Sequence, residues 1–175
     1  MMRSIFLSAA LLMVSSVFAQ IPKNDDKDFE YKAEISVKRA GTGDLMKRIE
    51  KWGNDYFKDA VAYKIAIDDT TNRYVEMDIT QSMVESHFGV NRTHKNRSLD
   101  YHIKFDADRK VYTYTVNQFH YKALELDKKN RETQLDGKLS EIGSAASGSL
   151  EEEVHMIMER MIESFSKALE TELAD

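Results

Sequence analysis

The chain has 175 residues, carries a formal net charge of −5 at pH 7 and contains no cysteine. The lack of cysteine excludes disulfide bonds, thiolate metal sites, a cysteine nucleophile and the lipid-modified cysteine of bacterial lipoproteins. An acidic chain is also a poor candidate for binding nucleic acid, because phosphate binding requires a concentrated positive surface.

Residues 1–19 have the parts of a secretory signal peptide. Arg3 supplies a positive start, residues 5–14 an apolar run, and residues 17–19 a small-x-small cleavage site before Gln20. The apolar run is shorter than the ~20 residues that span a bilayer. We therefore expect cleavage at this site, no transmembrane anchor in the mature protein, and a periplasmic or secreted location. The lack of cysteine favours a bacterial periplasm.

The start of the mature chain predicts a polar leader, a strand and a helix. Residues 20–28 are polar, hold the only proline and predict a solvated leader. Apolar and polar residues alternate over residues 29–38, which is typical of a half-buried strand. The period then becomes helical, with Thr42 or Gly43 as the expected N-cap. Four apolar side chains share one stripe of this helix: Leu45, Ile49, Trp52 and Tyr56.

The middle of the chain predicts a series of strands. Four further alternating runs are each typical of a strand, and they cover residues 61–67, 75–79, 99–105 and 112–116. The polar stretch 85–98 predicts a connecting loop. A two-residue turn at Asp108 and Arg109 would pair Phe105 with Tyr112 and place the aromatic side chains on one buried face.

The C-terminal part predicts a flexible connection and a long helix. Residues 126–148 are charged and then rich in serine, glycine and alanine, which favours a flexible connection. Ser149 and Glu152 form a capping box, and an apolar stripe continues this helix to residue 173. The order strand, helix, four strands, helix predicts one α+β domain over residues 29–175. We expect a two-layer sandwich, with both helices on the apolar face of an antiparallel sheet.

Three of these features together resemble a known group of proteins. They are the Gly-Thr-Gly-Asp-Leu start of the first helix at residues 41–45, Trp52 at its centre, and the aromatic hairpin of residues 101–105 and 111–114. This pattern resembles a family of secreted domains of unknown function, common in Bacteroidota, with a TATA-binding-protein-like (TBP-like) fold. The resemblance covers roughly residues 29–116 and, more loosely, the final helix. It implies the fold and a bacterial envelope location but no activity, and the name of the fold does not imply DNA binding.

The histidines and acids do not form a recognisable catalytic or metal motif. His87 and His94 lack an H-E-x-x-H pattern, and Asp100 with His102 offers only two ligands on the outward face of one strand. There is no nucleophile elbow and no phosphate-binding loop. Residues 106–108 begin like a calcium loop, but the required final glutamate is missing. We therefore expect no metal and no cofactor. The sequence leaves open a pair of carboxylates for glycoside hydrolysis. Such a pair would not by itself be evidence, because thirty acidic residues produce pairs by chance.

One basic cluster departs from the acidic trend and is the candidate binding segment. It consists of Arg92, His94, Lys95 and Arg97, inside the predicted loop. Such a cluster suits an anionic lipid head group, an acidic polysaccharide or a partner protein, although a solvated loop is the simpler interpretation. On a loop, replacing His94 should change stability by less than ~0.5 kcal/mol.

The sequence leaves two functional hypotheses. The first is a non-catalytic module of the envelope that binds a protein or a glycan through the sheet face or through residues 85–98. The second is a periplasmic hydrolase whose carboxylate or histidine site assembles only in the folded chain. A deep pocket that gathers His87, His94 or several acids would favour the hydrolase, whereas a flat polar sheet would not.

Overall fold

The computed structural model describes residues 22–37, 41–60, 62–68, 74–88, 92–108, 111–146 and 148–170, so the predicted signal peptide lies outside the described residues. The elements in chain order are β1 Tyr31–Ser36, α1 Thr42–Tyr56, β2 Ala62–Asp68, β3 Tyr74–Met83, β4 Ser86–Phe88, β5 Arg92–Asp108, β6 Val111–Leu126, β7 Glu132–Lys138, α2 Leu139–Ala146 and α3 Gly148–Glu170.

The described strands form one antiparallel sheet with the order β1-β6-β5-β3-β2. The two remaining strands extend this sheet, since β4 pairs with β5 and β7 pairs with β6. The predicted α+β architecture is therefore confirmed. The structure contains three elements beyond the predicted order: β4, β7 and α2. Two long strands, β5 and β6, form the centre and pair along most of their length.

The helices α1 and α3 cover the apolar face of the sheet. Trp52 of α1 is only 5% exposed and meets Phe105 of β5 and Phe165 of α3 edge to face, with ring centroids 6.0 and 5.5 Å apart. Its indole Nε1 donates to Oγ of Ser164 at 3.1 Å. This arrangement satisfies the polar atom of a large buried aromatic side chain. Trp52 thus lies buried between helix and sheet, in agreement with its place on the predicted apolar stripe.

The start of α1 and the end of α3 show how the helix termini are satisfied. Gly41, one residue before the expected caps, is the N-cap, and its backbone N–H donates to Oδ2 of Asp44 at 3.3 Å. At the other end, Nη1 of the buried Arg48 donates to the backbone carbonyl of Leu169 at 2.7 Å. That carbonyl belongs to the last turn of α3, where helical acceptors have no partner within the helix.

The predicted flexible connection of residues 126–148 is wrong, since β7 and α2 lie there. The carboxylate of Asp127 accepts hydrogen bonds from the backbone N–H groups of Lys129 (2.7 Å) and Arg131 (2.9 Å). This Asx-type turn ends β6 and lets β7 pair back along it. Strand β7 lies at the sheet edge and is largely exposed, so its sequence shows little apolar alternation. The final helix runs over Gly148–Glu170, and the rest of its predicted span lies outside the described residues.

The predicted loop of residues 85–98 and the predicted hairpin register are also wrong. The loop contains β4 and the first part of β5. In the hairpin, Phe105 pairs with Tyr114 rather than Tyr112, and Asp108 pairs with Val111. The register is thus displaced by two residues, which leaves the same side chains on the buried face.

The predicted solvated leader is partly folded against the sheet. Lys23 forms an isolated bridge with Phe29, and Oδ1 of Asn24 accepts hydrogen bonds from the backbone N–H groups of Asp26 (3.1 Å) and Asp28 (3.0 Å). We call this segment, residues 22–30, the N-terminal turn. Among the described residues, no helix is long and apolar enough to cross a membrane.

Candidate functional site

The predicted basic segment does not form one exposed patch. His94 is fully buried and Arg97 is 3% exposed, whereas Lys95 is half-buried and the side chain of Arg92 is 50% exposed. Asn96 has a positive φ of 48°, and the pairing of β5 with β6 shifts between Lys95 and Ser98. An extra residue in one strand moves later side chains to the other face. This bulge therefore lets His94 and Arg97, three residues apart, both lie inside.

A buried polar network joins these two side chains to β6 and α3. The hydroxyl of Tyr121 lies 2.9 Å from Nδ1 of His94 and 2.7 Å from Nε of Arg97. Nε2 of His94 lies 3.1 Å from a carboxylate oxygen of Glu125. Both terminal nitrogens of Arg97 donate to the carboxylate of Glu153, which fixes α3 to the sheet.

The direction of each hydrogen bond in this network follows from its donor. Nε of Arg97 can only donate, so the Tyr121 hydroxyl accepts from it and donates to Nδ1 of His94. His94 is then neutral, with its proton on Nε2 for Glu125. Burial lowers the pKa of His94, although its hydrogen bond to Glu125 opposes this, which agrees with a neutral ring. His94 and Tyr121 are fully buried, so these two side chains stabilise the fold and are not open to solvent.

The outward face of the sheet carries aspartates paired with histidine or lysine side chains. Asp78 contacts His102 at 2.8 Å, and Lys122 donates to Asp100 at 2.8 Å. Nε2 of His120 lies 3.2 Å from Oδ1 of Asp136 on β7. Asp100 and His102 do lie on this face, as the alternation predicts. Within the described residues, no group of three or more histidine or acidic side chains is arranged to hold a metal ion.

A notch interrupts one edge of β6. Strand β1 pairs with residues 111–116 of this edge, and β7 pairs with residues 120–126. Residues 117–119 between them pair with neither strand. Gln118 has a positive φ of 57°, and the pairing with β5 shifts at the same place. A residue other than glycine in the left-handed region marks a locally strained backbone, and such positions are concentrated at functional sites.

A cavity of about 300 Å³ occupies this notch. The N-terminal turn, the bulged part of β6 and the junction of β7 with α2 supply its walls. The lining residues are Asn24, Asp28, Phe29, Asn117, Gln118, Phe119, His120, Lys138 and Ser140. Phe29 and Phe119 are buried in the core, while the polar side chains lie towards the outward face.

Asp28 closes one side of the cavity. Its Oδ2 accepts from Nζ of Lys138 at 2.9 Å, and its Oδ1 accepts from Oγ of Ser140 at 3.0 Å. The hydrogen bond from Lys138 lowers the pKa of Asp28, and the hydrogen bond from Ser140 adds a smaller effect in the same direction. These contacts join the N-terminal turn to the end of β7. The conformation of the N-terminal turn depends on Asn24, whose side-chain oxygen accepts a hydrogen bond from the backbone N–H of Asp28.

Two oxygen acceptors at the bulge lack donors. Among the described residues, Oδ1 of Asn117 and Oδ1 of Asp100 are buried side-chain oxygens without a hydrogen-bond partner. Asn117 lines the cavity, and Asp100 pairs in register with His120, another lining residue. A buried acceptor without a donor is costly, so native proteins rarely leave one unpaired. The arrangement can therefore accept a molecule that donates hydrogen bonds into the notch.

The cavity does not gather the residues that would favour a hydrolase. It contains neither His87 nor His94, and Asp28 is the single acidic residue in its lining. The hydroxyl of Ser140 is bonded to Asp28 rather than to a histidine. His87 bonds Oγ1 of Thr93 at an exposed site between β4 and β5.

Sequence reasoning missed the cavity because it took the N-terminal turn and the β7–α2 junction for solvated or flexible segments. One signal was present in β6. Its buried side chains lie at 112, 114 and 116 and then at 119, 121 and 123, so the alternation changes phase at residues 117–118. A phase change within a strand indicates a bulge.

Solved structures of two proteins have a similar fold. One is a TBP-like protein from Parabacteroides distasonis ATCC 8503, with a TM-score of 0.64 and 12% identity over 87% of this chain and 99% of that chain. Another is a DUF4468 family protein from Bacteroides ovatus ATCC 8483, with a TM-score of 0.61 and 10% identity over 87% of this chain and 91% of that chain. No protein-family profile and no curated protein matches the sequence. At this identity the likeness establishes the TBP-like fold, while membership of the secreted Bacteroidota family stays a prediction.

Proposed function

We propose that this chain is a non-catalytic binding module of the bacterial envelope, which holds part of a glycan or protein in the cavity at the β6 notch. The export signal predicted over residues 1–19 supports the location. The observation that carries the binding role is the buried, unpartnered Oδ1 of Asn117 in the cavity wall, within the part of the chain that the structure describes.

The construction of the cavity supports a binding role. Three separate segments supply its walls, and the contacts of Asp28 with Lys138 and Ser140 hold them together. Preorganised walls favour binding, because little conformational entropy is lost when the ligand enters. Polar groups that converge on a cavity with apolar walls are typical of ligand sites.

The chemistry of the cavity supports binding over hydrolysis. Hydrolysis of a glycoside usually requires two carboxyl groups on either side of the bond. The lining provides Asp28, whose two oxygens already accept hydrogen bonds from Lys138 and Ser140. His94 and Tyr121 are fully buried and do not line the cavity.

Replacing Asn117 with leucine separates a binding role from a structural one. Leucine has the same number of side-chain heavy atoms and the same branching as asparagine, and replacing buried polar groups with apolar groups of similar shape can be nearly neutral or stabilising. Asn117→Leu should therefore keep the melting temperature of the wild type. It should nevertheless lose co-sedimentation with purified peptidoglycan sacculi or capture of detergent-solubilised envelope proteins. A gain or retention of stability together with a loss of function is typical of a binding residue.

Gln134→Leu is the matched control, since Gln134 is exposed on β7 outside the cavity. This variant should bind like the wild type. Equal binding by all three proteins, or binding by none of them, would contradict the proposal. Release of soluble sugar from sacculi would support the hydrolase instead.

A further inference from the structure

We infer that the notch cavity selects a neutral, hydroxyl-rich ligand, such as a single sugar residue at the end of a glycan. This inference rests on the proposed binding function and specifies the chemistry of the ligand. Its basis is the balance of charge, of hydrogen-bond acceptors and of apolar surface in the cavity wall.

The charges of the cavity are already neutralised within the protein. The carboxylate of Asp28 and the ammonium group of Lys138 are bonded to each other at 2.9 Å. The remaining titratable group of the lining, His120, faces Asp136 at 3.2 Å and Asp100 at 4.0 Å. An anionic ligand would meet these carboxylates, and a cationic ligand would meet Lys138. A neutral ligand disturbs neither pair.

The cavity offers an acceptor to a ligand that donates. Oδ1 of Asn117, in the cavity wall, is buried and lacks a donor among the described residues. A hydroxyl group donates one hydrogen bond and accepts others. A hydroxyl can therefore satisfy this oxygen and also accept from side-chain amides such as that of Gln118, which lines the same wall.

The apolar part of the wall suits a ring with carbon-bound hydrogens on one face. Phe29 and Phe119 line the cavity. Both side chains are almost completely buried, so each offers a ligand only a small apolar surface. The volume of about 300 Å³ lies at the lower end of the range for ligand pockets. These dimensions fit one ring rather than a long chain of sugars.

Ligand-observed NMR with matched neutral and charged sugars tests this selectivity. Glucose is compared with glucuronic acid and glucose 6-phosphate, and N-acetylglucosamine is compared with N-acetylglucosamine 6-phosphate, each at millimolar concentration. We expect saturation transfer to at least one neutral sugar and affinity for its charged counterpart that is lower by about tenfold or more. Asn117→Leu should abolish the neutral-sugar signal, and Gln134→Leu should keep it.

The comparison of neutral with charged probes uses the wild-type protein, so it does not depend on the folding of any variant. Equal or tighter binding of the charged sugars would overturn the inference, and so would the failure of both neutral sugars to bind. If sacculi or envelope proteins are still bound in an Asn117-dependent manner in that case, the proposed binding function holds and only the ligand class is wrong.

Discussion

Removal of one hydroxyl group should measure the strength of the buried network. Tyr121→Phe deletes the oxygen that accepts from Nε of Arg97 and donates to Nδ1 of His94, and it leaves the ring in place. Nε of Arg97 and Nδ1 of His94 then each lose a hydrogen bond inside the protein. Losing a buried hydrogen-bond partner costs about 1–3 kcal/mol, so we expect a loss of about 3 kcal/mol in the free energy of unfolding. For a chain of this size, that loss corresponds to a decrease of about 6–12 °C in melting temperature.

Urea denaturation followed by circular dichroism measures this loss as a lower midpoint at an unchanged slope. Tyr56→Phe is the control, because Tyr56 is 38% exposed and its substitution should change stability by less than about 0.5 kcal/mol. The reasoning is refuted if Tyr121→Phe is as stable as the control. In that case the Tyr121 hydroxyl would not link Arg97 to His94.

Three other predictions follow from the core, from His94 and from the N-terminus. Trp52→Ala should cost about 3–5 kcal/mol, and the native fluorescence of Trp52 should be blue-shifted and protected from iodide; strong quenching in the native state would contradict its burial. Because burial lowers the pKa of His94 below the ordinary histidine value of 6.5, the unfolded chain binds the proton more readily. Stability should therefore be full above about pH 6.5 and decrease at lower pH, and His94→Gln should remove this contribution; an identical pH profile for both proteins would contradict it. Mass spectrometry of the exported protein should find a chain that begins at Gln20, whereas an intact residue 1 in the membrane fraction would refute signal cleavage.

The sequence predicted the apolar layer well, because side-chain periodicity reports burial directly. Leu45, Ile49 and Trp52 follow a helical period, and all three are buried against the sheet. The alternating aromatic residues of β5 and β6 likewise lie on the covered face. The predicted hairpin register was wrong by two residues, but it placed the same side chains on the buried face, because a displacement by two residues preserves alternation.

The candidate site was harder to predict because it depends on two bulges. Each bulge adds a residue with positive φ, Asn96 in β5 and Gln118 in β6, and so breaks the alternation on which strand prediction depends. His94 and Arg97 are polar, so the hydrophobic pattern predicts a loop around them. Inside the protein, hydrogen bonds to Glu125, Tyr121 and Glu153 compensate for the burial of these two side chains. The expectation that His94 could be replaced at little cost is therefore contradicted by its burial.

The remaining walls of the cavity come from segments distant in sequence. Asp28 and Lys138 are separated by 110 positions, and they meet because β1 and β7 both pair with β6. The sequence of β7 is polar because the strand is an exposed edge. Its composition therefore resembled that of a linker, and no local pattern linked it to the N-terminal turn.

A ¹⁵N-labelled protein titrated with the neutral sugar that binds best tests the central claim, that the β6 notch is the binding site. The account predicts backbone chemical-shift changes confined to the cavity walls: the N-terminal turn, residues 117–120 and residues 138–140. Changes confined to the exposed part of the basic segment at Arg92 and Lys95, or shifts spread evenly over the sheet, would contradict it.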